Sequence, residues 1–274
     1  MSDILQREAG DLLREYANIA PEKMEAHVKH IVSIAVHHLA PAVWWLSNRM
    51  KARKGWDVLR YPCFQKFLFL HFDLARSPLY RTILKLIQGG HLFVDLGCGL
   101  GQDLRALVRD GAPAENLVGL DLMHEYIDLG YELFQDREKL SSTFIAQDFF
   151  EDTPDIDNLA RKAEIINSGY FMHLWTWGTQ LNVAKRMIQL VAPERGAIIL
   201  GVHFGSRAAG TWDAVPPGFS KMFLHNQETL SKLWEQAGAE TQTVWEFQVV
   251  IEDDEYCKDL DPEGCRLRWA AIRQ

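Results

Sequence analysis

Cysteine is scarce in this chain, and the four present, Cys63, Cys98, Cys257 and Cys265, have neither the paired spacing of a metal knuckle nor that of a disulfide framework. This usage suits a reducing compartment, so a cytoplasmic location is expected. A long apolar run is also missing. The most apolar stretch, residues 31–46, is broken by His37, His38 and Pro41 and falls short of a membrane span. The start Met1-Ser2-Asp3-Ile4 has no basic, apolar leader. Positive charge is in deficit: a net charge of −8 leaves no basic footprint for nucleic acid. Repeats and low-complexity segments are absent as well. What remains, at 274 residues, is enough for one large domain with an added element and too short for two full catalytic domains.

The chemistry concentrates in Phe93-Val94-Asp95-Leu96-Gly97-Cys98-Gly99-Leu100-Gly101-Gln102-Asp103-Leu104. Apolar residues around a single acid suit a strand buried on both faces of a parallel sheet. Leu104, Leu107 and Val108 then recur at helical spacing. A strand that turns into a helix through Gly97, Gly99 and Gly101 needs backbone angles that a Cβ obstructs, and the free N–H groups of the helix start face a ligand. Dinucleotides and S-adenosylmethionine both use such a turn. The dinucleotide fingerprint wants a small residue where this chain has Gln102. With Asp95 on the strand, the pattern D-x-G-x-G-x-G is the methyltransferase form.

Two further acids follow in order. Asp121, with Leu122 after it, ends the apolar run of residues 117–122, where a carboxylate can accept both ribose hydroxyls. Gln147, Asp148 and Phe149 end the third strand, with Asp148 placed for the adenine amino group and Phe149 for the ring. Asp103 in the first helical turn, Cys98 in the turn and Ser168 at the end of the fourth strand complete the cofactor set. A lone glycine turn, or a lone Asp after a strand, is often only a turn or a helix cap. Three such signals in sequence order favour the cofactor.

Asp95-Leu96-Gly97-Cys98-Gly99-Leu100-Gly101-Gln102-Asp103-Leu104-Arg105, with Asp110-Gly111-Ala112-Pro113, Asp121-Leu122 and Glu132-Leu133-Phe134-Gln135-Asp136-Arg137, resembles fungal class I methyltransferases of secondary metabolism, of the meroterpenoid-pathway type. The match runs from about Arg60 to Trp175. The Gln-Asp-Leu-Arg and Asp-Gly-Ala-Pro pieces are not required by cofactor binding in general. The resemblance implies methylation of a carboxyl or hydroxyl group on a mid-sized apolar intermediate. It also implies a Rossmann-like α/β fold: seven strands, mostly parallel, with a terminal antiparallel hairpin and an N-terminal helical extension.

Taken in order, residues 1–55 read as that helical extension and 56–274 as the methyltransferase domain. Leu5, Leu12, Leu13, Tyr16 and Ile19 share one helical face, and Met24, Val28, Ile31, Ala35 and Leu39 a second. Such helices are either a lid over the substrate or an annex that covers other elements. His27, His30, His37 and His38 invite a metal, but no carboxylate completes a set, and none is expected. Tyr61 and Phe64 are candidate walls of the acceptor pocket, whereas residues 67–69 read as packing.

Downstream, residues 152–162 and 181–191 read as helices and 205–223 as a long irregular loop. Asn226 caps the last helix. Residues 243–251 alternate as a strand, 252–264 form a solvated acidic loop, and 266–272 form the final strand. Ligands of open α/β sheets bind beyond the carboxyl ends of strands. His173, Trp175, Trp177 and His203 are therefore the acceptor candidates. His173 is the catalytic candidate, though a cap or core role fits its position equally. A carboxylate acceptor, with a pKa of about 4, is already ionised and needs no base; an alcohol or phenol would use one. The expected partner is a small-molecule acceptor, and a homodimer is a compatible assembly.

Overall fold

The computed structural model describes residues 7–37, 67–213 and 221–274. The candidates Tyr61 and Phe64 and the expected boundary at residue 55 lie outside the described residues. In chain order the elements are α1 (Arg7–Glu15), α2 (Pro21–His37), α3 (Tyr80–Gln88), β1 (Phe93–Leu96), α4 (Gln102–Arg109), β2 (Leu117–Asp121), α5 (His124–Phe134) and β3 (Thr143–Ala146). These are followed by α6 (Pro154–Asp157), β4 (Ile165–Gly169), α7 (Trp177–Leu190), β5 (Ile198–Ser206), β6 (Gly210–Trp212), β7 (Met222–Leu224), α8 (Gln227–Thr241), β8 (Trp245–Glu252), α9 (Glu255–Leu260) and β9 (Gly264–Arg273).

Seven strands form one sheet in the order β3-β2-β1-β4-β5-β9-β8. The pairs β2 with β3, β1 with β4 and β4 with β5 are parallel, whereas β9 runs antiparallel to both β5 and β8. The mostly parallel sheet with a terminal hairpin is thus the one the sequence predicts. Every residue of β1 and β5 is buried, as strands covered on both faces require. β8 instead alternates between half-buried and exposed residues, because only one of its faces meets protein.

The described residues fall into two compact units. The first holds residues 7–37, 67–90 and 98–148; the second holds 91–97, 149–213 and 221–274. In the first, the predicted apolar faces of α1 and α2 supply Leu12, Leu13, Met24, Val28 and Ile31. These pack with Leu100 and Ala106 near α4 and with Tyr126, Leu129, Leu133 and Phe134 of α5. Phe69 is buried in the same cluster and Phe67 packs against it. His27 is used in this packing, its Nε2 lying 2.9 Å from the Leu133 carbonyl. Among the described residues, no group of His, Cys, Asp and Glu is arranged to hold a metal, and no helix is long and apolar enough to cross a membrane.

In the second unit, three expectations change. The helix expected at 152–162 shrinks to the single turn of α6, capped by Thr153, with Ile156 and Leu159 the segment's buried apolar anchors. The expected loop at 205–223 begins with the end of β5 and contains β6, which pairs antiparallel with β7; residues 214–220 lie outside the described set. The acidic loop contains α9, capped by Asp254 and anchored by buried Cys257. The cap at Asn226 is as predicted, and Thr229 completes a reciprocal capping box.

Candidate active site

The glycine turn meets the predicted demand for unusual backbone. Gly97, Gly99 and Gly101 have φ of +69°, +55° and +65°, a region that residues with a Cβ rarely adopt. In the first unit, a Cβ on Gly101 would stand 2.9 Å from the Phe144 ring, whereas one on Gly99 would meet nothing within 4 Å. Gly99 therefore borders open space. The start of α4 has no side-chain cap, so its N–H groups keep the orphan character that suits ligand recognition.

Asp121 answers this turn directly. Its Oδ2 accepts the Gly99 N–H at 2.8 Å and its Oδ1 the Met123 N–H at 3.0 Å. Burial pushes the carboxyl above its ordinary value, an effect that the backbone donors oppose only in part. The strand beyond is held close: Cys98 donates to Leu120 O at 3.1 Å and Gln147 to Asp121 O at 2.9 Å. Cys98 and Asp103 are buried, while Leu122, Gln147 and Asp148 are half-buried. The fit to an adenosyl ligand rests on Gly99, with its open side, and on half-buried Asp121 beside it.

The second unit carries the other candidates. Asp95, buried on β1, accepts a hydrogen bond from Asn167 of β4 at 2.7 Å. Asn167 escaped the sequence reading, since nothing local marks it as a partner for an acid so far upstream. A Cβ on Gly97 would meet the Phe171 ring at 2.8 Å. That ring stands edge-on to buried Phe149 at 5.5 Å and to buried Trp175 at 5.0 Å. Beyond β4, Tyr170 takes φ of +51° and its N–H donates to Val202 O at 2.7 Å. Ser168 is fully buried, and its Oγ has no hydrogen-bond partner among the described residues.

Three histidines follow strand ends or lie within them. His173 is buried, with its ring 6.1 Å from that of His203 and 6.5 Å from that of Phe204. His203 is 1% exposed and packs on Trp269 at 5.4 Å. His225, which the sequence reading passed over, follows the short strand β7 and contacts Trp177 at 5.0 Å. The available signal was its position, immediately after the apolar triplet of β7. Burial pushes His173 and His225 down to about 4 and His203 well below its ordinary value, with the neighbouring histidines adding to the effect at His203. All three are neutral at pH 7. Neither ring nitrogen of His203 has a hydrogen-bond partner among the described residues, and neither does His173 Nδ1 or His225 Nε2.

A third residue missed in the sequence, Gln180 of α7, organises this region. Its fully buried Nε2 donates to Trp175 O and to Phe223 O, each at 2.8 Å, and Phe223 N donates to Trp175 O at 2.9 Å. The segment after β4 is thereby tied to β7. Trp177 remains half-buried, against Phe223 at 5.1 Å.

A Rossmann-like sheet closed by an antiparallel hairpin, with a glycine turn answered by an acid on the next strand, defines a class I S-adenosylmethionine-dependent methyltransferase. A solved S-adenosylmethionine-dependent methyltransferase from Archaeoglobus fulgidus shares the fold: TM-score 0.51 and 13% identity over 78% of this chain and 100% of that one. No family model matches the chain. It is, however, 39% identical to the O-methyltransferase phiE of a fungal species (strain ATCC 74256), over 76% of this chain and 70% of the relative. It is also 33% identical to the O-methyltransferase atr3 of Stereocaulon alpinum, over 88% of this chain, and spans 64% of that relative's length. The chain belongs to this family of fungal secondary-metabolism methyltransferases, of the meroterpenoid-pathway type.

Proposed function

We propose that the protein methylates the carboxylate oxygen of a small, largely apolar secondary-metabolite intermediate. In the first unit, Cys98, Gly99, Gly101, Asp103, Asp121, Leu122, Gln147 and Asp148 are assigned to the cofactor. In the second, Asp95, Gly97, Phe149 and Ser168 are assigned to the cofactor, and His173, Trp175, Trp177 and His203 to the acceptor. Bound there, S-adenosylmethionine supplies a methyl group activated by its sulfonium sulfur. Asp121 accepts the ribose hydroxyls. The aromatic residues exclude water and align the acceptor, which is most of what an in-line displacement asks of a protein.

The observation that carries this reading is the state of His173. A histidine base is ordinarily oriented by a hydrogen-bonded partner, yet His173 Nδ1 has none among the described residues, and burial holds the ring near 4. So weak a base suits an acceptor that arrives already ionised. His173 then orients the carboxylate by donating a hydrogen bond rather than removing a proton. The O-methyltransferase names of two relatives support oxygen as the atom methylated. A cytoplasmic location belongs to the same reading, on the sparse, unpatterned cysteines of the sequence.

The test supplies S-adenosylmethionine with carboxylated terpenoid and polyketide acceptors and their hydroxyl analogues, and follows methyl esters by mass spectrometry between pH 5.5 and 8. Ester formation at a rate flat across that range is expected, with His173→Ala raising the acceptor KM more than it lowers kcat. A rate that climbs with a histidine-like pKa, on hydroxyl acceptors alone, would overturn the carboxylate assignment. Cofactor binding without transfer to any acceptor would point to an inactive partner subunit. Sedimentation of the same sample reads whether it works as a homodimer.

A further inference from the structure

Two of the stretches that carry the family resemblance are Gln102-Asp103-Leu104-Arg105 after the glycine turn, which cofactor binding in general does not require, and Gln135-Asp136-Arg137 after α5. Within the first unit they meet. Arg105 is 0% exposed; its Nε lies 2.7 Å from Asp136 Oδ2 and its Nη2 3.0 Å from Asp136 Oδ1, a bidentate pair. Asp136 Oδ2 also accepts the hydroxyl of Tyr16, just past the end of α1, at 2.8 Å. The remaining arm of the guanidinium, Nη1, donates to Leu100 O at 2.7 Å and Gly101 O at 3.2 Å. The rings of Phe134, Tyr131 and Phe144 enclose it at 4.7, 5.3 and 5.6 Å.

A charge buried this completely is tolerated only when paired and fully hydrogen-bonded, and here every guanidinium nitrogen is used. Asp136 neutralises it, so Arg105 offers no charge to a ligand. What it offers is a grip on backbone. In a trans peptide the C=O and N–H point oppositely. Holding the Leu100 and Gly101 carbonyls on the guanidinium therefore turns the Gly101 and Gln102 N–H groups the other way. The first closes the turn on Cys98 O at 2.8 Å; the second stands at the uncapped start of α4. α5 secures the same peptide from another side, since a Cβ on Gly130 would collide with the Leu100 carbonyl.

We propose that Arg105 is a positioning residue for the cofactor turn, and that Asp136 and Tyr16 make its hold depend on the N-terminal helices. The inference rests on the reading of Gly99 and Gly101 as the S-adenosylmethionine turn. It makes a tyrosine hydroxyl far upstream a determinant of cofactor affinity.

The test is calorimetric titration of the full chain with S-adenosylhomocysteine, well below the melting temperature, for wild type, Arg105→Lys, Tyr16→Phe and Leu233→Ala. Lysine keeps the charge but loses the fork, and Tyr16→Phe keeps the ring that meets Phe134 edge-on at 6.5 Å. Leu233 is fully buried in α8, which belongs to the second unit, so it serves as the stability control. The Kd should rise about tenfold in Arg105→Lys and about threefold in Tyr16→Phe. Leu233→Ala should lower the melting temperature and leave the Kd unchanged. Should Arg105→Lys not fold, Tyr16→Phe carries the test alone. Equal Kd in wild type and Tyr16→Phe, or a Kd that tracks melting temperature through Leu233→Ala, overturns the inference. A wild type that binds no S-adenosylhomocysteine would instead remove the cofactor reading beneath it.

Discussion

Two glycines give opposite expectations for one substitution. Gly97 has φ of +69°, and its Cβ would strike the Phe171 ring, which packs edge-on against buried Phe149 and Trp175. Gly97→Ala should cost roughly 2–3 kcal/mol, combining the left-handed penalty with overpacking. Gly178 lies in α7 with an ordinary φ, and a Cβ there would meet nothing within 4 Å, so Gly178→Ala should stabilise by up to about 1 kcal/mol. Urea denaturation reads both, and equal signs would refute the argument. The turn glycines and Asp121 were legible because residue type alone reports a backbone requirement or a strand-end acid. Phe171, Asn167 and Gln180 were not legible, because their roles arise from contacts between segments distant in sequence.

At the scale of elements, the alternation of β8 and the apolar faces of α1 and α2 could be read directly, since a period leaves its mark in the chain. The triplets β6 and β7 are too short to show one. The segment at 252–264 misleads for a different reason: its acids look solvated until their partners on β9 are known. Glu252 pairs with Arg268 at 2.7 Å, and Asp254 both caps Cys257 N at 2.9 Å and pairs with buried Arg266. Asp254→Ala should therefore cost about 3 kcal/mol, from a lost cap and the loss of an ion pair to a buried guanidinium. Glu255, whose side chain is 90% exposed beside Lys258, should tolerate alanine without a change in denaturation midpoint. Similar midpoints for the two variants would show that α9 is not anchored through Asp254.

For the whole molecule, the buried histidines set how stability responds to acid. In the folded chain His173 and His225 fall from the ordinary 6.5 to about 4. The unfolded chain therefore takes up protons first as pH drops. Their contribution is complete above about pH 6.5 and drains away toward pH 4, at about 2 kcal/mol per histidine between pH 7.5 and 5. Urea midpoints at those two values should differ accordingly, and a His173→Gln, His225→Gln double variant should flatten the difference. A midpoint that holds or rises in acid would contradict the burial of these rings as neutral groups.

The thiols offer a record of another kind. Cys98, in the first unit, is 3% exposed; Cys257 and Cys265, in the second, are 2% and 0% exposed, and burial pushes the latter two thiols up in pKa. A sealed, protonated thiol does not react with an alkylating reagent until the chain around it opens. The three sulfurs thus serve as clocks already built into the protein. The order in which iodoacetamide traps them, mapped by peptide mass, reports which unit breathes first and whether S-adenosylhomocysteine slows one clock or all of them.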